Sequence, residues 1–334
     1  MTLAYTFTVY TPTFNRAHTL HRVYEGLQAQ TFHDFEWLII DDGSTDGTDA
    51  LVRLWQSQAE FPIRYIWKEN GGKHTADDLA AKEAHGFIVA AIGSDDSCAP
   101  QALAHINDYW NSIPVSMQPA YAGVAVLAAH VGGGLVGPPF PRGLMDSNQL
   151  EMVYRHRIGG DCWICVRRDV LRQFPYPQVE GRATHFNEKT LYFRMARHYT
   201  LRYVNDPLLL VYMGSGSLSR PTGTRRQVNA RIAATFAPHY LLVLNEQMDY
   251  ARIAPRDFLL AAVHYVRYSI YLSTSPIRQV RALNTWQARL LWLAALPLGA
   301  LSYAADRWWP SSRRGTIYAK EAAQPGPMRA TDRL

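Results

Sequence analysis

The chain has 334 residues, of which 48% are apolar and 19% are charged, so it is long enough for one large domain or two ordinary ones. This composition suits a packed globular protein and excludes disorder over most of the length. The formal charge of +6 is unevenly spread: residues 1–110 carry 7 Lys and Arg against 15 Asp and Glu, and residues 111–334 carry 27 against 13. No zinc-finger, helix-turn-helix or RNA-recognition signature accompanies the basic part, which favours phosphorylated substrates or anionic lipid over nucleic acid.

The cysteines and the start of the chain bear on its compartment. Three cysteines are too few for a disulfide framework and fit a reducing environment. Cys162 and Cys165 form a CxxC, but neither a second ligand pair nor a thioredoxin-like context accompanies it, so buried thiols are expected. No Arg-rich or apolar leader precedes the first strand, and a cytoplasmic location is therefore expected.

The first hundred residues alternate predicted strands and helices. A period-two strand begins at Tyr5, and the helix after it has apolar residues at i, i+3, i+4 and i+7 from Leu20. The continuous apolar run from Phe35 to Ile40 is typical of a strand buried on both faces of a parallel sheet. Further strands are expected at 63–67 and 87–92. This β-α-β-α-β order predicts right-handed crossovers and one edge at which the strand ends meet.

The remainder of the chain has a different pattern. Residues 115–220 are mixed α+β, with strands expected near 200–204 and 208–213. Helices are predicted at about 225–245, 255–273 and 278–305. The resulting domain boundaries are 1–220 for an α/β domain with halves 1–110 and 111–220, then a helical extension at 221–310 and a disordered tail at 311–334.

One C-terminal segment has two interpretations. Leu290 to Ala305 is apolar over sixteen residues, which is short of the roughly 20 that a spanning helix needs. Trp and Arg residues flank it, and such flanks suit a helix lying in a membrane interface, with contact through 286–309. The alternative is a final core helix.

Polar turns follow each predicted strand of the first half. They contain Asp41-Asp42-Gly43-Ser44, Asn70-Gly71-Gly72-Lys73 and Asp95-Asp96. Open α/β sheets bind ligands at the carboxyl ends of their strands. Lys73 on its glycine turn could reach a phosphate, and Thr75 is expected to cap the following helix, which would end at Gly86.

Asp95 and Asp96 point in different directions from a single turn. One carboxylate could hold a hard divalent cation while the other accepts a ribose hydroxyl. Mg²⁺ or Mn²⁺ is commonly held by one or two carboxylates together with substrate phosphates. A P-loop and a dinucleotide-binding fingerprint are both excluded, because neither glycine pattern is present.

Five ordered motifs carry a family resemblance. They are Val9-Tyr10-Thr11-Pro12-Thr13-Phe14-Asn15-Arg16, Gln30-Thr31-Phe32, Ile40-Asp41-Asp42-Gly43-Ser44-Thr45-Asp46, Glu69-Asn70-Gly71-Gly72-Lys73-His74-Thr75, and Ser94-Asp95-Asp96. This series resembles the opening of family 2 of the glycosyltransferases, which have the GT-A fold. The likeness is close over residues 5–110 and looser to about residue 219.

The resemblance implies a role for each matching residue of the donor site. Pro12, Phe14 and Asn15 would surround the nucleotide base, and Asp42 would bond to it. Lys73 would lie near the base and the diphosphate, and Asp95 would hold the ribose. Asp96 would hold the metal, Mg²⁺ or Mn²⁺, although the element reads Ser-Asp-Asp and lacks the family's first carboxylate.

The resemblance also implies a catalytic base from the second half of the domain. Glu188 fits that position best and Glu180 second, and a base there would accept the acceptor's proton. The expected function is inverting transfer of a sugar from a UDP-type donor to a saccharide or lipid-linked saccharide of an envelope or capsular polymer. The enzyme would work in the cytoplasm at the inner face of the membrane. The alternatives are a sugar-1-phosphate nucleotidyltransferase and a non-catalytic nucleotide-binding module.

Overall fold

The computed structural model describes residues 4–159, 162–176, 188–212 and 225–308. The nine strands in these ranges are β1 Tyr5–Thr13, β2 Phe35–Asp41, β3 Ile63–Trp67, β4 Gly86–Ala91, β5 Ser97–Cys98, β6 Tyr121–His130, β7 Leu144–Ser147, β8 Cys162–Arg167 and β9 Thr200–Val211. The first helices are α1 Ala17–Gln28, α2 Thr48–Gln56, α3 Lys73–Glu83, α4 Ala102–Asn111, α5 Gln149–Tyr154, α6 Arg168–Leu171 and α7 Lys189–Met195. Four more follow: α8 Arg225–Glu246, α9 Pro255–Tyr271, α10 Pro276–Arg281 and α11 Trp286–Trp308.

All nine strands form one mixed sheet. Eight of them follow the order β3-β2-β1-β4-β8-β6-β9-β5, and β7 pairs with β9 outside that path. Strands β1 to β4 are parallel, as the sequence predicts, and β8 runs antiparallel between β4 and β6. Because β8 is antiparallel to both β4 and β6, β6 points in the same direction as β4, and β9 is parallel to β6. The carboxyl ends of β6 and β9 therefore lie at the same edge as those of β1 to β4.

Strand β2 shows why the apolar run at its position is continuous. Trp37 and Ile39 pack into a cluster with α1, α2 and α4 on one face of the sheet. Leu38 and Ile40 pack with Ala76 and other residues of α3 on the opposite face. Both faces are therefore covered by helices, which confirms the α/β layering predicted from the sequence.

The sequence predicts two strands where the structure has one. Strand β9 is continuous from Thr200 to Val211, but its register with β6 shifts between Val204 and Pro207. The two residues in that irregularity make side-chain contacts of their own. Asn205 accepts the backbone N–H of Phe140 at 2.7 Å, and Asp206 accepts the Tyr109 hydroxyl at 2.8 Å. A bulge of this kind interrupts the apolar alternation, so the pattern looks like two short strands.

The helical extension packs onto the second half of the α/β domain. Leu150 and Phe193 share an apolar cluster with Leu244, Phe258 and Trp292. Helices α8 and α9 agree with the predicted positions, whereas the single helix predicted at 278–305 is divided into α10 and α11 by residues 282–285. The expected tail at 311–334 lies outside the described residues. Of the CxxC pair, Cys165 is buried and Cys162 is half-buried in β8.

The predicted cap of α3 is wrong. The helix begins at Lys73, two residues before Thr75, and ends at Glu83 rather than Gly86. The Thr75 hydroxyl instead donates to the carbonyl of Gly72 at 2.8 Å. The start of the helix is set by Asp42, which accepts the N–H groups of Gly71 and Gly72 from another strand end. Such a contact is non-local and has no local sequence signature.

Replacing Gly86 should destabilise the sheet. A Cβ at this position would lie 2.2 Å from the backbone nitrogen of Thr8 and 2.3 Å from the carbonyl carbon of Phe7. We expect Gly86→Ala to lower the free energy of unfolding by about 1–3 kcal/mol, the usual cost of overpacking. Chemical denaturation measures the change. Gly143→Ala is the control, since nothing lies within 4 Å of the added carbon, and an equal loss in both variants would contradict the prediction.

Candidate active site

The turns that follow the parallel strands lie side by side at one edge of the sheet. In the strand register Thr13 is opposite Asp41, and Asp41 is opposite Trp67. The backbone N–H of Ile92, just after β4, donates to the carbonyl of Tyr10 at 2.9 Å. The polar turns of the sequence therefore face one shared space.

Asp42 is a buried carboxylate that fixes the glycine turn before α3. Its oxygens accept the N–H groups of Gly71 and Gly72 at 2.9 and 2.8 Å, and the Lys68 ammonium pairs with it. Its own N–H donates to the carbonyl of Thr13 at 2.8 Å. A carboxylate can accept about four hydrogen bonds, so these three contacts leave room for one further donor, such as the N–H of a nucleotide base.

The turn after β1 is held by Asn15. Its backbone is in the left-handed region at φ 53°, a conformation that asparagine tolerates better than most residues. Its N–H donates to Ser44 Oγ at 2.8 Å, and its Oδ1 accepts the N–H of Thr45 at 2.8 Å. Phe14 is 43% exposed beside this contact, and Pro12 is half-buried. An exposed ring at a strand end is a suitable surface for stacking a base.

Asp95 and Asp96 have different surroundings. Asp95 pairs with the largely buried Arg16 at 3.2 Å. Asp96 accepts the backbone N–H of Tyr212 at 3.3 Å. Burial and then the charge of Asp95 raise the pKa of Asp96 to about 6, and the Arg22 cation opposes them only in part. Asp96 is therefore a carboxylate whose negative charge lacks a full protein counter-charge.

This uncompensated charge fits the predicted metal. Among the described residues no three His, Cys, Asp or Glu side chains are grouped so as to hold an ion, so this part of the chain does not build a closed cage. Mg²⁺ and Mn²⁺ do not require one when substrate phosphates and water complete the shell. Asp96, with Asp95 beside it, would be the protein's contribution, and the metal would neutralise charge on a diphosphate.

Lys73 joins the first half of the domain to Glu188. It is the first residue of α3, not part of a flexible turn. Its ammonium lies 2.6 Å from Glu188 Oε1 and 3.2 Å from each carboxylate oxygen of Asp77. Glu188 directly precedes α7 and is 44% exposed. The predicted base therefore lies at the sheet edge, whereas the alternative, Glu180, is outside the described residues.

Three further residues belong to the site but were not predicted: Arg16, Lys68 and Asp77. Asp77 is one helical turn after Lys73, at the i, i+4 spacing typical of helical ion pairs. A correct prediction of where α3 begins would therefore have indicated that Asp77 pairs with Lys73. Arg16 and Lys68 reach partners 79 and 26 residues away in sequence, and no local pattern indicates such contacts.

Comparison with known proteins agrees with this geometry. The family model described as Glycosyl transferase family 2 matches residues 8–123. Over this range, about a third of its length, the chain is similar to glycosyl transferase family 2. The matched range contains most of β1, all of β2 to β4 and α1 to α4, and every residue of the predicted donor site. The sheet with its flanking helices has the GT-A fold.

Individual curated relatives match about a quarter to a third of the chain. It is 35% identical to an Escherichia coli chondroitin synthase over 96 residues, which are 28% of this chain and 14% of that protein. The chain spans less than a third of the length of the curated relatives it matches.

Solved structures match over most of the fold. Residues 1–349 of S. aureus TarS in complex with UDP-GlcNAc match with a TM-score of 0.54 at 17% identity, covering 90% of this chain and 91% of that one. A Pyrobaculum calidifontis mannosyltransferase in complex with GDP-Man and Mn²⁺ matches with a TM-score of 0.51 at 16% identity, covering 91% and 87%.

The raised pKa of Asp96 predicts a pH-dependent gain in stability when its charge is removed. The pKa of Asp96 is about 6 in the folded protein, against an ordinary value of 3.8 for the unfolded chain. Folding therefore disfavours the ionised carboxylate, and this cost to stability is present above pH 6 and absent below about pH 4. In metal-free buffer at pH 8, Asp96→Asn should raise the free energy of unfolding by about 1–2 kcal/mol. Chemical denaturation at a series of pH values from 4 to 8 measures this gain in the free energy of unfolding.

Asp95→Asn is the matched control for that experiment. It removes the neighbouring carboxylate but also breaks the ion pair with Arg16. We expect no gain in stability at pH 8 for this variant. A gain from Asp96→Asn that persisted unchanged at pH 4 would contradict the electrostatic explanation.

Proposed function

We propose that the chain is an inverting glycosyltransferase that moves a sugar from a UDP-sugar to an acceptor hydroxyl. The observation that carries this proposal is the meeting of three groups at one sheet edge. These groups are the base-binding turn around Asp42, the carboxylate pair Asp95–Asp96, and Glu188. Nucleotide, diphosphate and acceptor each have a complementary group there.

The donor end is assigned from the shape and polarity of the first turns. Pro12, Phe14 and Asn15 would surround the base, and Asp42 would accept its N–H. Asp95 would hold the ribose. Support for a uridine nucleotide comes from TarS, whose structure contains UDP-GlcNAc, and the mannosyltransferase with GDP-Man makes guanosine the alternative base to test.

The chemical step is a single in-line displacement. The acceptor oxygen forms a bond to the anomeric carbon, and the bond from that carbon to the diphosphate oxygen breaks with its electron pair leaving on the diphosphate. The proton of the acceptor hydroxyl passes to Glu188. Asp96 would hold a divalent metal, which would neutralise charge on the departing diphosphate, and Mn²⁺ in a structural neighbour supports this choice.

The acceptor is proposed to be a saccharide or lipid-linked saccharide of an envelope or capsular polymer. Relatives named chondroitin synthase and hyaluronan synthase support a polysaccharide product. We assign the sugar-transfer reaction to residues 1–220. We assign contact with the inner face of the cytoplasmic membrane to the helical extension at 221–310.

The extension has a surface suited to that membrane. Among the described residues, one helix, Trp286–Arg307, is long and apolar enough to cross a bilayer by length and composition, and 22% of its apolar window is buried. Its inner face contains the buried Ala288, Trp292 and Ala295 together with Gly299, where an added Cβ would lie 2.6 Å from Val266. The outer face of α11 consists of Leu290, Leu293, Ala294, Pro297, Leu298, Ala300 and Leu301, all exposed.

Charge around this outer face favours anionic lipid. Four arginines of α10 and α11 are exposed, namely Arg278, Arg281, Arg289 and Arg307. Asp306 is the sole acidic residue from 272 to 308, and it is buried and paired with Arg267 at 2.6 Å. Each basic residue near an anionic membrane contributes about 1 kcal/mol of binding. Two copies of this face would repel, so a lipid surface is favoured over self-association.

Nucleotide binding and turnover test the enzymatic proposal. We expect UDP to raise the melting temperature more in the presence of Mn²⁺, and Asp96→Ala to abolish the Mn²⁺-dependent part. We expect Glu188→Gln to leave UDP binding unchanged while lowering kcat for UDP-GlcNAc or GDP-Man by about 10²- to 10⁴-fold, the usual range for loss of a general base.

Two outcomes of this test contradict the proposal. Binding of UDP without release of nucleotide from any sugar nucleotide, whatever acceptor is supplied, would identify a binding module. Formation of a sugar nucleotide from UTP and a sugar 1-phosphate would identify a nucleotidyltransferase.

Vesicle sedimentation tests the membrane surface. The double variant Leu293→Ser with Leu301→Ser should bind phosphatidylglycerol-containing vesicles at least about tenfold more weakly, because it removes two buried leucines from the bound state. Leu54→Ser is the control, since Leu54 is 52% exposed on α2, outside this surface. Equal binding to pure phosphatidylcholine, or conversion of a dimer to a monomer by the double variant, would contradict the assignment.

A further inference from the structure

The ammonium of Lys73 lies between two carboxylates that belong to different parts of the fold. Its three contacts are both oxygens of Asp77 and one oxygen of Glu188. A lysine ammonium has three N–H donors, so these acceptors satisfy it completely. A substrate phosphate could bind Lys73 only by displacing one of them. The geometry therefore directs this cation toward the proposed base rather than toward the donor diphosphate.

Asp77 is anchored from the opposite side by the sheet. The hydroxyl of the buried Tyr10 in β1 donates to Asp77 Oδ1 at 3.1 Å. Burial raises the pKa of Asp77 to about 6, with the Glu188 charge acting in the same direction and the Lys73 cation opposing both. Asp77 lines a cavity of about 60 Å³ that also reaches Glu188. Without Lys73 the two carboxylates would repel each other across this space.

The phenols and the third carboxylate that face the cavity do not take the place of Lys73 as the cation next to Asp77 and Glu188. Burial raises the pKa values of Tyr10, Tyr176 and Tyr192, so all three phenols stay neutral. Asp78 accepts the N–H of Tyr176 at 3.0 Å instead of contacting Lys73.

The remaining charged or titratable neighbours are directed elsewhere. His74 packs edge-on against Tyr176, and burial lowers its pKa. The ammonium of Lys189, next to Glu188 in sequence, donates to the carbonyl of Gly159 at 3.1 Å. Neither of these contacts involves the two carboxylates.

We propose that Lys73 and Asp77 are positioning residues: Asp77 holds the Lys73 ammonium in place, and that ammonium keeps the Glu188 carboxylate ionised and aimed at the sheet edge where the acceptor hydroxyl would bind. This inference rests on the proposed function, because it needs Glu188 to act as the base. Lys73 directly follows Gly72, whose N–H is bound by Asp42. The residue proposed to bind the nucleotide base thus fixes the helix start from which the proposed catalytic base is held.

Substitution of Lys73 separates this role from phosphate binding. We expect Lys73→Met to lower kcat by about ten- to a hundredfold, as misplacement of a reacting group does. The pH at which kcat falls on the acidic side should be about 1–3 pH units higher than in wild type, because the carboxylates lose their counter-ion. The KM for the donor should stay within about twofold of wild type, since binding of the donor is not involved. A raised donor KM without this change in pH dependence would assign Lys73 to the phosphates and overturn the proposal.

Substitution of Asp77 gives a second, independent readout. Asp77→Asn keeps the acceptor for Tyr10 but has no charge to lose, so its activity should not change through pH 6. Wild-type activity should fall through about pH 6 and converge on that of the variant. Lys73→Arg should restore part of the kcat, and Asp78→Asn is the matched control on the same helix. An Asp77→Asn variant with wild-type kcat and the same fall near pH 6 would overturn the role of Asp77.

Two measurements separate failure of this inference from failure of the proposed function. Turnover is followed as nucleoside diphosphate released from UDP-GlcNAc, or from GDP-Man if wild type prefers it. If Glu188→Gln is inactive while Lys73→Met is normal, only the positioning role fails. Independently of turnover, carbon-13 NMR of labelled aspartate carboxyls should show a higher titration midpoint for Asp77 in Lys73→Met. An unchanged midpoint would overturn the inference even in a chain without activity.

Discussion

The buried Asp42 carboxylate is the contact on which the rest of the candidate site depends. Two backbone N–H groups and one ammonium converge on it, and hydrogen bonds between backbone donors and an ionised acceptor are among the stronger ones in proteins. Because those N–H groups belong to Gly71 and Gly72, Asp42 determines where α3 begins. The position of Lys73, and through it that of Glu188, follows from that start.

The sheet edge gathers negative charge that the fold only partly neutralises. Arg16 compensates Asp95, Lys68 compensates Asp42, and Lys73 is shared by Asp77 and Glu188. Asp96 is left with the least compensation, and its raised pKa reflects that. Residual charge of this kind lowers stability in the empty protein, and it is also what attracts a cation and the phosphates bound to it.

Much of this arrangement could be predicted from the sequence, because it follows from local patterns. Apolar runs ending in polar turns placed Asp42, Asp95 and Asp96 at one edge, whereas the base at Glu188 was implied only by the family resemblance. The contacts of Lys73 and Arg16 could not be predicted, since their partners come from distant turns. The single strand β9 was missed because its bulge at Asn205 and Asp206 interrupts the alternation of apolar residues.

The close packing of Gly299 on the inner face of α11 has a consequence for handling the protein in water. At Gly299 the backbone approaches Val266 so closely that no side-chain carbon fits between them. Rolling the helix to hide its leucines would bring branched side chains into that space, which close packing forbids. Rolling of α11 therefore does not cover the apolar face, and we expect a purified preparation to need detergent or added lipid to remain dispersed at high concentration.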